Sequence, residues 1–212
     1  MTLHIDIASD IVCPWCYIGK RHLEQALELY ADEYPSADAP TMAWLPFQLN
    51  PDMPPEGMSR EEYVERKFGR PAHEVYERVR TAGEAVDIAF AFDSIERQPN
   101  TIKAHALVDL AAQFDRQSQV KEALMQAYFC NGADLTDDAE LGGIATRCGV
   151  PVEAVIQRLQ DTSALQRIAT QDAKLRELGI TGVPFFIFNQ KVVVSGAQPA
   201  EALLDAMVQS LD

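Results

Sequence analysis

The sequence predicts an α/β fold whose single sheet is assembled from both ends of the chain, with a long helical block inserted between them. Three patterns indicate this: strand–helix–strand over residues 3–49, helical periodicity from about residue 59 to 178, and a C-terminal hairpin followed by a helix. We divide the 212 residues into 1–55, 56–177 and 178–212 on this basis. The first and last parts are expected to form the sheet domain, and the middle part the inserted helical domain.

The N-terminal part changes from extended to helical periodicity and back. Residues 3–8 are apolar enough for a buried strand, and from Pro14 the apolar residues recur at helical spacing to about residue 34. Residues 41–49 predict a second strand, in which Pro46 indicates a bulge or a sheet edge. A right-handed crossover would make the two strands parallel neighbours.

The rest of the chain carries local signals of helix starts and of one hairpin. Ser59 followed by Glu62 is a capping-box pattern. Further helix starts are predicted at 100–101, 136–140, Pro151 and Pro199. The apolar runs 183–188 and 191–194 flank a two-residue turn and therefore predict a hairpin.

Charge and composition restrict the class of partner. The net charge is −14, which disfavours nucleic-acid binding because an acidic surface repels phosphate backbones. No apolar run approaches the roughly 20 residues that span a bilayer, so we expect no membrane partner. The first residues lack a secretory signal, which predicts a cytoplasmic protein. The sequence does not distinguish a monomer from a homodimer.

The segment Cys13-Pro14-Trp15-Cys16 is the strongest functional signal, because it joins a predicted strand to a predicted helix. Pro14 suits the first helical position, which makes Cys13 the N-cap residue. The free N–H groups and the helix dipole there favour a thiolate, so we expect a lowered pKa for Cys13. Cys16 lies one turn later, where it can attack a mixed disulfide formed at Cys13.

Two alternatives for the cysteines are less well supported. The pair could be structural, but the strand–CxxC–helix context is the one that redox chemistry requires. Tetrahedral zinc needs about four ligands, and the chain has no second CxxC, so we predict no metal. Cys130 and Cys148 are expected to be buried thiols in helices, and His105 a hydrogen-bonded structural histidine.

A second functional signal is Pro184 at the start of the predicted C-terminal strand. If the Val183–Pro184 bond is cis, the Val183 backbone could face outward and pair with an extended substrate. A trans proline at the start of a strand is the alternative. Trp15, between the cysteines, could form an apolar edge for substrates.

Several segments together resemble DsbA-like thioredoxin-fold proteins of the FrnE subgroup. They are Ser9-Asp10-Ile11-Val12-Cys13-Pro14-Trp15-Cys16-Tyr17-Ile18-Gly19, Phe47-Gln48-Leu49-Asn50-Pro51, Ala127-Tyr128-Phe129, Gly182-Val183-Pro184-Phe185-Phe186 and Ser195-Gly196-Ala197-Gln198. The resemblance implies a thioredoxin fold with a helical insertion and a thiol–disulfide oxidoreductase. It implies Cys13 as nucleophile, Cys16 as resolving cysteine and a cis Pro184. Disulfide-containing proteins or small molecules would be the substrates.

The same superfamily includes 2-hydroxychromene-2-carboxylate isomerase and kappa-class glutathione transferase, which use glutathione and typically carry Ser where this chain has Cys13. This makes a glutathione-dependent isomerase or transferase the alternative function, with glutathione as co-substrate and no bound cofactor. The expected substrate contacts are Pro14, Trp15, Val183, Asn50 and Ser195. For the last two, a simple turn residue is the competing interpretation. A binding module with relic cysteines is a third possibility.

Overall fold

The computed structural model describes residues 2–69 and 72–211, with side chains omitted at 72 and 73. The strands are β1 (His4–Ser9), β2 (Thr41–Pro46), β3 (Met58–Ser59), β4 (Arg97–Gln98), β5 (Phe185–Phe188) and β6 (Val192–Ser195). The helices are α1 (Pro14–Glu33), α2 (Arg60–Phe68), α3 (Ala72–Glu84), α4 (Ile102–Ala112), α5 (Gln117–Asn131), α6 (Asp138–Arg147), α7 (Val152–Gln160), α8 (Thr162–Glu177) and α9 (Ala200–Gln209).

The central sheet combines strands from both ends of the chain, in the order β2-β1-β5-β6. β1 runs parallel to β2 and antiparallel to β5, and β6 is antiparallel to β5. Ile5 is fully buried in β1, and it pairs with Met42 on one side and Phe188 on the other. This topology confirms the predicted fold class.

The helix α1 owes its position to its first residue and its apolar face. Cys13 is the N-cap, and Pro14 begins the helix where no N–H partner is needed. Leu23, Ala26 and Tyr30 are spaced at helical intervals and are almost completely buried. α1 packs against α9, so the C-terminal helix helps to hold α1 in place.

The helical block, α2 to α8, follows β2 and precedes β5, and it covers one edge of the sheet. The Gln117 side chain in α5 accepts from the Trp44 backbone N–H at 2.9 Å and donates to its carbonyl at 3.3 Å, as a neighbouring strand would. Aromatic rings join the block to α1, with Tyr17 stacked on Phe129 at 6.2 Å. Within the described residues, no helix has the length and apolar character needed to cross a membrane.

Element boundaries differ from the sequence predictions at the prolines. The second strand was predicted to continue to residue 49 but ends at Pro46, which has no N–H to extend the ladder. Pro151 and Pro199 are N-cap residues with extended backbone rather than first helical residues. The expected Ser59 cap is formed, with its hydroxyl accepting from the Glu62 N–H at 3.2 Å. The domain division at residues 55 and 177 stays a prediction.

Candidate active site

The two cysteines lie together at the turn between β1 and α1. Cys13 has extended backbone angles (φ −98°, ψ 108°), and its sulfur accepts from the Cys16 N–H at 3.3 Å. The first helical residue, Pro14, has no N–H, and the N–H of the third, Cys16, is shared between the Cys13 carbonyl and the Cys13 sulfur. Both cysteines are reduced. The turn therefore places one thiol at the end of the helix and the other one turn behind it.

The Val183–Pro184 segment faces the first cysteine across the site. Its peptide bond is cis. The Cys13 thiol donates to the Val183 carbonyl with a sulfur–oxygen distance of 3.6 Å. The Pro184 carbonyl accepts from the Gly196 N–H at 2.8 Å, which ties the segment to the end of β6. Chain ends 170 residues apart thus meet at one sulfur atom.

The environment of Cys13 differs from the sequence expectation of a lowered thiol pKa. Cys13 is 4% exposed and Cys16 1% exposed. Burial raises the pKa of the Cys13 thiol well above its ordinary value, the nearby Cys16 and Asp10 raise it further, and the hydrogen bond from the Cys16 N–H lowers it. Desolvation of the charged form outweighs the donor at the helix start. The expectation was wrong for the molecule without substrate, because it considered the helix end and not the burial.

A buried carboxylate stands immediately in front of the cysteine motif. Asp10 is fully buried, and it accepts from the Ile11 N–H and the Leu49 N–H at 2.7 Å each, and from His105 Nε2 at 3.1 Å. Burial alone would raise its pKa, but His105 and these bonds hold the pKa of Asp10 below its ordinary value. Burial lowers the pKa of His105, so a neutral imidazole donates to an ionised carboxylate.

A buried amine from α5 completes this polar layer. Lys121 is 1% exposed; its Nζ donates to the Ser9 carbonyl at 3.3 Å and lies 5.5 Å from the centre of the Trp44 ring. Burial lowers the pKa of Lys121 to about 8, while the charges of Cys16, Asp10 and Cys13 act in the opposite direction. Sequence reasoning missed Asp10 and Lys121. The available signal was a lone lysine among the apolar positions of α5.

The rim of the site carries several cations on this acidic protein. Trp15 is half-buried, and the guanidinium of Arg78 from α3 lies 5.8 Å from its ring centre. A pocket of about 390 Å³ opens beside Asn50. Asn50 follows β2, whose last residue pairs with the last residue of β1, so the pocket lies beyond the same end of the sheet. The Tyr63 hydroxyl in this pocket accepts from Asn50 Nδ2 at 3.4 Å and from Lys67 Nζ at 2.6 Å. Donors and cations there suit a carboxylate-bearing ligand.

The remaining predicted residues lie at varied distances from the chemistry. Ser195 is exposed at the end of β6, and its carbonyl accepts from Gln198 Nε2 at 3.1 Å, as expected for a turn. Cys130 and Cys148 are half-buried rather than buried, because α5 and the end of α6 lie near the surface there. His105, expected to be a satisfied structural histidine, is hydrogen-bonded to the carboxylate behind the motif.

A strand–CxxC–helix turn facing a proline segment on the same sheet defines a thioredoxin-fold protein with a cysteine-pair active site. The chain belongs to the DSBA-like thioredoxin domain family, which it matches over residues 4–208. Membership of this thiol oxidoreductase family confirms the resemblance at family level. The FrnE subgroup stays a prediction.

Known proteins similar to the chain include both oxidoreductases and an isomerase. A probable DsbA oxidoreductase from Streptomyces coelicolor is 28% identical with a TM-score of 0.86, over 99% of this chain and 90% of that one. Two structures share the fold at lower identity. The structure of 2-hydroxychromene-2-carboxylate isomerase is 14% identical with a TM-score of 0.68, over 97% of this chain and 95% of that one. The structure of the Pseudomonas aeruginosa cytosolic disulfide reductase DsbM with GSH is 17% identical with a TM-score of 0.59, over 99% of this chain and 100% of that one. The uncharacterized protein YwbO of Bacillus subtilis (strain 168) is 25% identical over 203 residues, 93% of this chain and 92% of that one.

Proposed function

We propose that the protein is a dithiol–disulfide oxidoreductase in which Cys13 forms the mixed disulfide with the substrate and Cys16 resolves it. The observation that carries the proposal is the position of the Cys13 sulfur. It lies between the Cys16 N–H at 3.3 Å and the Val183 carbonyl at 3.6 Å. An extended substrate that pairs with the Val183 backbone would present its sulfur to Cys13. Cys16 is the more deeply buried of the two.

The reaction exchanges one sulfur–sulfur bond for another in two steps. When the protein reduces a disulfide, the Cys13 thiolate attacks one substrate sulfur, and the other leaves as a thiolate and is protonated by solvent. The Cys16 thiol then loses its proton, its thiolate attacks Cys13, and the remaining substrate thiolate leaves. Two electrons pass from the cysteine pair to the substrate, and the reverse sequence oxidises a dithiol.

Cysteine variants test the two roles separately. In an assay of insulin reduction with dithiothreitol, we expect Cys13→Ser to lose activity. We expect Cys16→Ser to lose turnover and to accumulate a mixed disulfide visible by mass spectrometry. Cys148→Ser is the matched control, because this half-buried thiol lies at the end of α6, and it should keep full activity. A fully active Cys16→Ser would refute the resolving role.

The second candidate function is a glutathione-dependent isomerase or transferase, with glutathione as co-substrate. The pocket beside Asn50 favours it, because Tyr63, Arg66 and Lys67 line that pocket and offer donors for the carboxylates of glutathione. The structures of the isomerase and of the reductase DsbM with GSH add fold-level support. Under either function, substrates would contact the protein at Pro14, Trp15 and Val183, and a cytoplasmic location stays a prediction.

Two assays separate the candidates. Isomerisation of 2-hydroxychromene-2-carboxylate with glutathione, but no insulin reduction, would favour the second function. Glutathione as co-substrate is tested by the KM for glutathione in disulfide reduction. We expect a several-fold increase in Lys67→Ala, whereas Lys191→Ala, an exposed change in the β5–β6 turn, should leave KM unchanged. An unchanged KM in Lys67→Ala would remove the pocket from the glutathione site.

A further inference from the structure

Arg78 is an exposed cation beside the cysteine motif, and the reaction described above does not use it. It belongs to α3, which packs against α1. Its guanidinium lies over the ring of Trp15, the residue before Cys16, at 5.8 Å from the ring centre. An arginine in this position is held by its attraction to the ring face, so the contact does not occupy its N–H donors.

The charge of Arg78 is not used by the protein itself. Among the side chains that the structure describes, at 2–69 and 74–211, no carboxylate lies within 4.0 Å of it and no acceptor takes a hydrogen bond from it. Acidic groups are abundant in a chain of net charge −14. Glu74 even stands four residues earlier on α3, a spacing at which Glu and Arg pair favourably, yet the guanidinium lies against Trp15. Its planar fork of donors is therefore free for a carboxylate brought by a substrate.

The position of Arg78 suits a substrate that approaches Cys13. Cys13 is 4% exposed, whereas Trp15 is half-buried and Arg78 is exposed. A disulfide that reaches the recessed Cys13 sulfur therefore comes close to the pair of Trp15 and Arg78. An extended peptide advances about 3.4 Å per residue, so the residues one or two positions from the substrate cysteine lie on the scale of the distance from Cys13 to Trp15.

We propose that Arg78 is a specificity-determining residue that favours peptide disulfides with a carboxylate one or two positions from the reacting cysteine. The inference rests on the proposed oxidoreductase function and names the class of substrate for that site. Arg78 takes part in no bond change, because the exchange stays between the two cysteines and the substrate sulfurs. Its pairing with the carboxylate is exposed to water, so we expect a contribution of about two- to fivefold in kcat/KM.

Two model peptides test this role, each with one disulfide, flanked by glutamates in one and by lysines in the other. Dithiothreitol is the electron donor, the uncatalysed rate is subtracted, and the measured quantity is the kcat/KM of the glutamate peptide divided by that of the lysine peptide. We expect Arg78→Gln to lower this ratio about two- to fivefold, and Arg78→Lys to keep most of it because the charge remains. The control Arg147→Gln removes the same charge from the last residue of α6, a 69% exposed side chain, and should leave the ratio unchanged.

A purely structural role of Arg78 would slow both peptides alike, so an unchanged ratio in folded Arg78→Gln would overturn the proposal. If that variant does not fold, the wild-type protein provides the test. Raising NaCl from about 0.1 M to about 1 M shortens the screening length from roughly 10 Å to roughly 3 Å and should lower the wild-type ratio. A ratio that rose instead would show that repulsion by the acidic protein outweighs Arg78, and would refute the assignment. Failure of the oxidoreductase function itself would appear separately, as wild-type protein inactive towards both peptides and insulin.

Discussion

Gly19 is the residue that lets the proline segment approach the active-site helix. A Cβ built on Gly19 would lie 2.9 Å from Pro184 Cγ and 3.3 Å from Phe186 Cζ. Carbon atoms pack best at roughly 3.5–4.0 Å. In Gly19→Ala, the Pro184 ring must therefore move away by about 0.6 Å, the difference between ~3.5 Å and the built 2.9 Å. Helix α1 is long and anchored, so we expect the proline segment to give way.

This displacement has a stability effect and an activity effect. Replacing Gly by Ala within a helix stabilises it by roughly 0.5–1 kcal/mol, whereas overpacking a core contact costs about 1–3 kcal/mol. We expect Gly19→Ala to lower the unfolding free energy by about 1 kcal/mol. The Val183 carbonyl, 3.6 Å from the Cys13 sulfur, would move with Pro184. Because misplacement by ~1 Å can cost about 100-fold in rate, we expect a loss of about tenfold in kcat/KM.

Urea unfolding and insulin reduction measure the two effects, and Gly143 provides the matched control. Gly143 also lies within a helix, α6, but a Cβ there meets only the guanidinium end of Arg147, at 3.2 Å. That side chain is 69% exposed and can turn away. Gly143→Ala should therefore raise the unfolding free energy by about 0.5–1 kcal/mol and keep full activity in insulin reduction. If Gly19→Ala matched this control in both assays, the packing argument for the proline segment would be refuted.

Two further substitutions follow from backbone contacts. Asp10→Asn leaves one of the backbone N–H donors to the carboxylate unpaired, so urea unfolding at pH 7 should show a loss of about 2–3 kcal/mol. Because the pKa of Asp10 is lowered in the folded protein, its stabilisation is complete above pH 3.8, the ordinary pKa, and is lost as the pH falls through the folded-state pKa. A difference in unfolding free energy between the two proteins that persisted below that pKa would contradict the prediction. Gly132 has a φ of +67°, and a Cβ in Gly132→Ala would lie 2.2 Å from the Ser94 carbonyl oxygen, so thermal unfolding should show a loss of about 3 kcal/mol. Its control is Gly69→Ala, where φ is +59° but nothing lies within 4 Å, so we expect a loss of about 1 kcal/mol. Equal losses would mean that the Ser94 contact is unimportant.

The fold was predictable because its main signals are local. Pro14 follows an N-cap residue, so the start of α1 is encoded within two residues. The hairpin of β5 and β6 turns at Asn189 and Gln190, which adopt positive φ values of 49° and 58° as the predicted two-residue turn requires. The second strand was misjudged in length because the apolar residue that follows Pro46 is buried for a different reason. Phe47 is buried against Arg176, whose guanidinium lies 4.2 Å from its ring centre.

The active site was predictable only where sequence patterns mark chemistry. The cysteine motif and Pro184 could be paired in advance because each has a pattern of its own. Asp10 and Lys121 could not, since their partners lie far away along the chain. The Asp10–His105 bond spans 95 residues, and the bond from Lys121 to the Ser9 carbonyl spans 112. The pKa of Cys13 was misjudged for the same reason, because burial depends on the whole fold.

The buried polar layer also changes how the helical block relates to the redox site. The cysteines and the proline segment belong to the sheet and to α1, yet His105 of α4 donates to the carboxylate behind them, and Lys121 of α5 lies in the same buried layer. Without His105, Asp10 would keep its two backbone donors, and without Lys121 the layer would lose a positive charge that opposes those of Asp10 and the ionised cysteines. An ionised carboxylate raises the pKa of Cys13. The helical block therefore contributes to the electrostatics of the thiol pair, although the pair itself belongs to the sheet domain.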